Sequence, residues 1–143
     1  MIYTDATRKA MKIAFDAHRG QKDRAGIDYV NHPLHLAEQM STESETCVAL
    51  LHDVVEDTSW TIKDLEHEGF CKDVVDAITV LTHDESVPYM DYIDLVKANP
   101  LAVKVKLADL EHNSDLTRLP EVTEQDLARV EKYAEARRRL NSQ

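Results

Sequence analysis

The sequence predicts an all-α domain of about seven to eight helices. Apolar residues recur at three- and four-residue spacing along most of the chain, only 3 Gly and 4 Pro punctuate that pattern, and two clear capping-box patterns mark helix starts. With 143 residues, the chain is expected to be one domain, residues 1–143, with no internal repeat or linker. That length suffices to bury roughly two-thirds of the surface its unfolded form exposes.

The elements follow in order. A first helix is expected from Thr4 to His18, burying Ala6, Ala10, Ile13, Ala14 and Ala17 and stopping at Gly20. Gln21 to Asn31 reads as a polar loop. Pro33 at a first helical position opens a short helix through Met40, which places His32 at its N-cap or just before it. A third helix runs from Glu43 to Glu56. Thr61-Ile62-Lys63-Asp64 has the capping-box pattern for a brief fourth helix ended by Gly69, and Lys72 to Leu81 forms a fifth. Pro88 and Pro100 begin two more. Thr123-Glu124-Gln125-Asp126 starts the last, which runs to Leu140 with Leu127, Val130 and Ala134 inward.

Net charge is −10, with 27 acidic against 17 basic side chains, and no basic patch precedes Arg137-Arg138-Arg139. That balance argues against nucleic acid as a partner, since a basic stripe is needed to meet a phosphate backbone. The arginine cluster falls in the last turns of a helix, where cations complement the dipole. Cys47 sits in an apolar run and reads as a buried thiol, Cys71 as an inert, partly exposed one, and neither has zinc-finger spacing. The N-terminus lacks the apolar stretch of a signal peptide and no apolar run could span a membrane, so a cytoplasmic location is expected.

The chemistry concentrates in Leu50-Leu51-His52-Asp53-Val54-Val55-Glu56-Asp57. On a continuous helix, positions 52, 53, 56 and 57 share an arc of about 140°, while Val48, Leu51 and Val55 line the opposite, core-facing stripe. Between Thr42 and Glu68 there are eight acids and one base, a repulsion that a bound cation relieves. His32, His52, Asp53 and Asp109 are the candidate ligands, Asp109 being a lone acid among Val105, Leu107, Ala108 and Leu110. Mixed imidazole and carboxylate donors suit Mn, Fe or Zn better than Mg. Glu56 and Asp57 remain as unligated carboxylates that take or relay the proton of an attacking water. No nucleophilic Ser or Cys context and no Gly-rich phosphate loop is present.

Ala17-His18-Arg19-Gly20-Gln21, Tyr29-Val30-Asn31-His32-Pro33, Ala49 to Thr58, and Val105-Lys106-Leu107-Ala108-Asp109 followed by His112-Asn113 together resemble the HD-domain phosphohydrolases. Within them, the chain is most similar to the hydrolase domain of RelA/SpoT-type alarmone enzymes and their small stand-alone relatives. The resemblance implies an all-helical HD fold and one manganese-type ion on His32, His52, Asp53 and Asp109, with Glu56 and Asp57 assisting water. It implies release of pyrophosphate from the 3′ position of guanosine tetra- or pentaphosphate, with Arg24, Lys106 and Asn113 near the substrate. Alternative readings are an HD nucleotide phosphatase or pyrophosphatase acting on another phosphorylated metabolite, and a non-catalytic nucleotide-binding HD protein. Two positions depart from the family pattern: Asp23 stands where an arginine packs against the purine, and Leu110 where a cation follows the last ligand.

Overall fold

The computed structural model describes residues 1–143 and contains nine α-helices. They are α1 (Asp5–Ala17), α2 (Asn31–Glu38), α3 (Glu43–Leu51), α4 (Val54–Asp57), α5 (Ile62–His67), α6 (Lys72–Leu81), α7 (Tyr89–Lys97), α8 (Pro100–Asn113) and α9 (Glu124–Asn141). One 3-10 turn, Leu116–Arg118, joins α8 to α9. No strand forms; the nearest approach is a lone antiparallel bridge between Lys22 and Asp28.

Capping sets most boundaries. Thr4, Thr61 and Thr123 each accept from the backbone N–H three residues on, and the side chain at that third position reaches back, closing three capping boxes. Thr42 and Asn99 cap α3 and α8 through single side-chain bonds, and Pro100 follows Asn99 where its missing N–H costs nothing. Past the ends of α1 and α5 the chain reverses at Gly20 (φ 81) and Gly69 (φ 89), in left-handed conformations that residues with a Cβ adopt only under strain.

The centre of the core is α3. Cys47, Val48, Ala49, Leu50 and Leu51 are at most 1% exposed, because α1, α2, α6 and α8 pack around them on different sides. A helix surrounded in this way is apolar on every face. α7, α8 and α9 pack against one another to complete the body. No helix is long and apolar enough to cross a membrane.

Several boundaries differ from the sequence-based expectation. α2 begins at Asn31, so His32 lies inside the first turn, and Pro33 occupies another first-turn position that needs no N–H partner. The expected helix from Glu43 to Glu56 breaks after Leu51 and resumes at Val54 as a single turn. His52 causes this locally: its Nδ1–H donates to the Ala49 carbonyl at 2.7 Å, the acceptor a continuous helix would offer to the Asp53 N–H. Beyond the break, Val54 is buried and Val55 only half-buried. In α1, Ala6 and Ala17 are half-buried while Ala10, Ile13 and Ala14 are in the core. In α9, Leu127 is 52% exposed and Val130 and Ala134 half-buried, whereas Ala136, Leu140 and the polar Asp126 are buried. That register follows from α9 packing on α7 and α8 and from the partners of Asp126 described below. Arg138 pairs with Glu135 one turn back, and Arg139 with Asp94 of α7 at 2.9 Å.

Candidate metal centre

Three elements bring four side chains to one point. The first turn of α2 supplies His32, the break after α3 supplies His52 and Asp53, and the buried face of α8 supplies Asp109. One donor atom from each lies within 4.8 Å of all the others. His32 Nε2 is 2.8 Å from Asp109 Oδ1 and 4.0 Å from Asp53 Oδ2. His52 Nε2 is 3.0 Å from Asp53 Oδ2 and 3.5 Å from Asp109 Oδ1.

The surroundings orient these donors. With the His52 Nδ1 proton committed to Ala49, its buried Nε2 turns inward toward Asp53 and Asp109, with neither in well-directed hydrogen-bond geometry. A buried polar atom of that kind is costly, and a cation held by two imidazoles and two carboxylates resolves the cost. His32 Nδ1 and His112 Nδ1 share a hydrogen bond at 2.7 Å, one in which His32 is the donor when its Nε2 faces a cation. Burial, reinforced by His32, lowers the His112 pKa to about 4 and keeps that ring neutral. The Tyr29 hydroxyl donates to Asp53 Oδ2. Burial and the neighbouring Asp53 push its pKa up, so it stays a donor. Lys106 Nζ donates to Asp109 Oδ2 at 2.9 Å and Asn113 Nδ2 to Asp109 Oδ1 at 3.1 Å. Second partners of this type fix the direction of metal-binding groups.

Charge compensation opposes burial throughout. Desolvation favours a neutral Asp109, yet Lys106 holds the carboxyl well below its ordinary range. Desolvation likewise works against an ionised Asp53, which His52 pulls down to about 2. Burial also disfavours the His52 imidazolium, and Asp53 and Asp109 together overcome it, so that ring is held above its usual value. The residues therefore fit a divalent cation in donor type, orientation and charge.

Two clefts flank the cluster. One, of about 460 Å3, is lined by Asp53, Glu56, Asp57, Tyr89, Tyr92 and Lys106 among others. The other, of about 440 Å3, is lined by Lys22, Arg24, Arg118 and Arg129 together with three carboxylates. Tyr29, Asn113 and Tyr133 belong to both. Glu56 accepts the His83 backbone N–H at 2.7 Å on the acidic side. Partial desolvation, then Asp53, raises the pKa of both Glu56 and Asp57.

The sequence-selected residues thus separate by environment. His32, His52, Asp53 and Asp109 converge, and Glu56 and Asp57 reach the adjoining cleft. Of the proposed substrate contacts, Arg24 lines the second cleft, while Lys106 and Asn113 turn their donors to Asp109. Leu110, where the family pattern has a cation, is 1% exposed and packs in the apolar core. Asp23 accepts from the N–H groups of Ala25 and Ile27 at 2.8 and 3.0 Å and lies 3.6 Å from Arg118. Tyr29 and His112 fall within the sequence blocks quoted above, but their contacts with Asp53 and His32 carry no spacing signal. Arg118, Arg129 and Tyr133 arrive from the C-terminal segment, whose one sequence pattern, the capping box at Thr123, marks a helix start and no site.

No family model matches the chain. The MESH1 guanosine-3′,5′-bis(diphosphate) 3′-pyrophosphohydrolase of Xenopus tropicalis is 36% identical over 124 residues, covering 77% of this chain and 69% of that protein. The chain belongs to the MESH1 family. The bifunctional (p)ppGpp synthase/hydrolase SpoT of Escherichia coli is 33% identical over 121 residues, an alignment covering 74% of this chain but only 17% of SpoT. A solved structure of a metazoan SpoT orthologue that hydrolyses ppGpp superposes with a TM-score of 0.79 at 25% identity, covering 99% of this chain and 89% of that one. This MESH1-family chain therefore shares the helical frame of that structure over nearly its whole length.

Proposed function

We propose that this chain is a (p)ppGpp 3′-pyrophosphohydrolase, converting guanosine 3′,5′-bis(diphosphate) and water to GDP and pyrophosphate. The observation that carries the reading is the convergence of His32, His52, Asp53 and Asp109, with donor atoms within 4.8 Å, between clefts of opposite charge. The relatives named above support the substrate class.

His32, His52, Asp53 and Asp109 are the ligands of one divalent ion in this reading, with Mn2+ the ion expected and Fe2+ or Zn2+ compatible with the same donors. When bound, such an ion acidifies water and polarises a phosphoryl oxygen. Glu56, with a pKa raised by partial desolvation, takes the proton of the attacking water. Asp57, one residue on, relays it toward solvent. The bond that forms joins the water oxygen to the 3′ phosphorus; the bond that breaks joins that phosphorus to the ribose 3′ oxygen, which takes up a proton from solvent. Tyr29 and Lys106 hold Asp53 and Asp109 in register, and the basic cleft receives the rest of the nucleotide.

The test is to incubate manganese-loaded protein with guanosine tetraphosphate, a panel of mononucleotides and a dinucleotide cofactor phosphate, following pyrophosphate and orthophosphate separately. Pyrophosphate from guanosine tetraphosphate is expected. Orthophosphate from another compound, with nothing from guanosine tetraphosphate, replaces this reading with a different phosphatase, and tight binding without either product makes the chain a nucleotide sensor.

A further inference from the structure

One buried carboxylate ties together two walls of the basic cleft that lie 102 residues apart in sequence. Arg24, from the loop before α2, pairs with Asp126 Oδ1, and Arg129 reaches the same oxygen at 3.2 Å. The Asp126 side chain is 1% exposed, whereas those of Arg24 and Arg129 are 51% and 36% exposed. Its other oxygen accepts from the Thr123 N–H at 2.8 Å and the Thr123 hydroxyl at 2.9 Å.

Capping of α9 requires only that second oxygen. Nothing in a capping box calls for the first to gather two cations from different elements. Two guanidinium groups sharing one carboxylate leave a net positive wall in a chain of net charge −10. Each guanidinium has five N–H donors, and only its Nη1 is engaged with Asp126. The other acids of this cleft have partners of their own: Asp23 in its loop and at Arg118, and Asp115 in the bonds it accepts from Thr117. Tyr29, Asn113 and Tyr133 line both clefts and His32 lines the basic one, so the guanidinium pair and the cluster border adjoining space.

We infer that Asp126 is a positioning residue that fixes Arg24 and Arg129 as a preformed binding pair for the diphosphate of the substrate that the reaction leaves intact. The identity of that ligand rests on the proposed reaction; the pair itself rests on the geometry of the cleft. Guanidinium groups already drawn together on one buried carboxylate meet a diphosphate with less ordering left to do, which is how preorganisation raises affinity.

GDP carries this diphosphate and has no 3′ phosphorus to cleave, and guanosine lacks both. Calorimetric titration of each into the manganese-loaded full chain is expected to show GDP bound at least about tenfold more tightly than guanosine, as charge-assisted contacts with two guanidinium groups imply. Asp126→Asn keeps an acceptor for the Thr123 N–H but frees the arginines, and is expected to lose most of that preference while guanosine affinity holds. Arg24→Gln leaves α9 and its cap untouched and is expected to do the same, so a folding defect in the first variant does not shield the proposal. Equal affinity of the wild-type protein for both ligands overturns it. So does a preference that survives in Asp126→Asn, in Arg24→Gln should the former not fold, or a parallel loss of guanosine affinity. Absence of pyrophosphate release from guanosine tetraphosphate refutes the proposed reaction separately, without altering the GDP comparison.

Discussion

At the scale of single residues, Glu56 and Asp53 sit side by side and invite opposite outcomes. Asp53→Ala removes a donor from a cluster that three others cannot complete, so bound metal, measured by elemental analysis, and turnover should disappear together. Glu56→Gln retains the acceptor for the His83 N–H and leaves the cluster intact; metal content should persist while kcat falls by roughly 10²–10⁴, the usual worth of a general base. The pH dependence follows from the raised Glu56 pKa. The base acts when ionised, so kcat climbs as pH rises through a value above the ordinary glutamate range, and that acid limb vanishes in Glu56→Gln. A carboxyl whose folded pKa exceeds its unfolded one costs stability once pH passes the unfolded value, so this substitution should not lower the melting midpoint at neutral pH. The opposite sign holds for Asp126, whose pKa is depressed chiefly by Arg24. Its contribution is complete above the unfolded aspartate pKa and is lost as pH falls toward the lower folded value, so Asp126→Asn should flatten the acid limb of a melting profile.

At the scale of elements, the caps predict stability independently of the site. Thr61 closes the capping box of α5, remote from the cluster, and Thr61→Ala should cost about 0.5–2 kcal/mol, read as a shift in the urea midpoint at unchanged turnover. The same threonine shows what sequence makes legible. A capping box is a local pattern of residues three apart, and Thr61 and Thr123 announce α5 and α9 without help from the rest of the chain. The break after Leu51 was not legible in this way, because it depends on a histidine ring taking a carbonyl from its own helix, and His52 reads equally well as a continuing helical residue. Leu127 misled for a related reason. Its spacing suits an inward stripe, but the side of α9 that turns inward is chosen by Arg24 and by the faces of α7 and α8, none of which is visible within α9. The four clustered residues were legible because each sits in a block with its own pattern. Arg129 and Tyr133 belong to the same pair of clefts with no such mark.

For the whole molecule, the cluster joins three helices whose packing is otherwise apolar, so metal and fold should be linked. At metal concentrations near a thousand times the dissociation constant, binding to the folded state alone adds about 4 kcal/mol. In a chain of this length that corresponds to a melting midpoint roughly 10 °C higher. Chelation should reverse the gain in the wild-type protein and have no effect on Asp53→Ala; equal shifts in both would separate the stabilisation from the cluster.

The contact between Arg24 and Asp126 also has a temporal side. Every residue of the four-membered cluster lies within the first 109 positions, but the carboxylate that arranges the far wall of the basic cleft leaves the ribosome only later. On the proposed reading, the nascent chain therefore carries all four candidate ligands before it carries Asp126 and Arg129, which complete the guanidinium pair. On the same reading, docking of α9 is the event that adds the second capacity, gripping a nucleotide, to the first, capturing a cation.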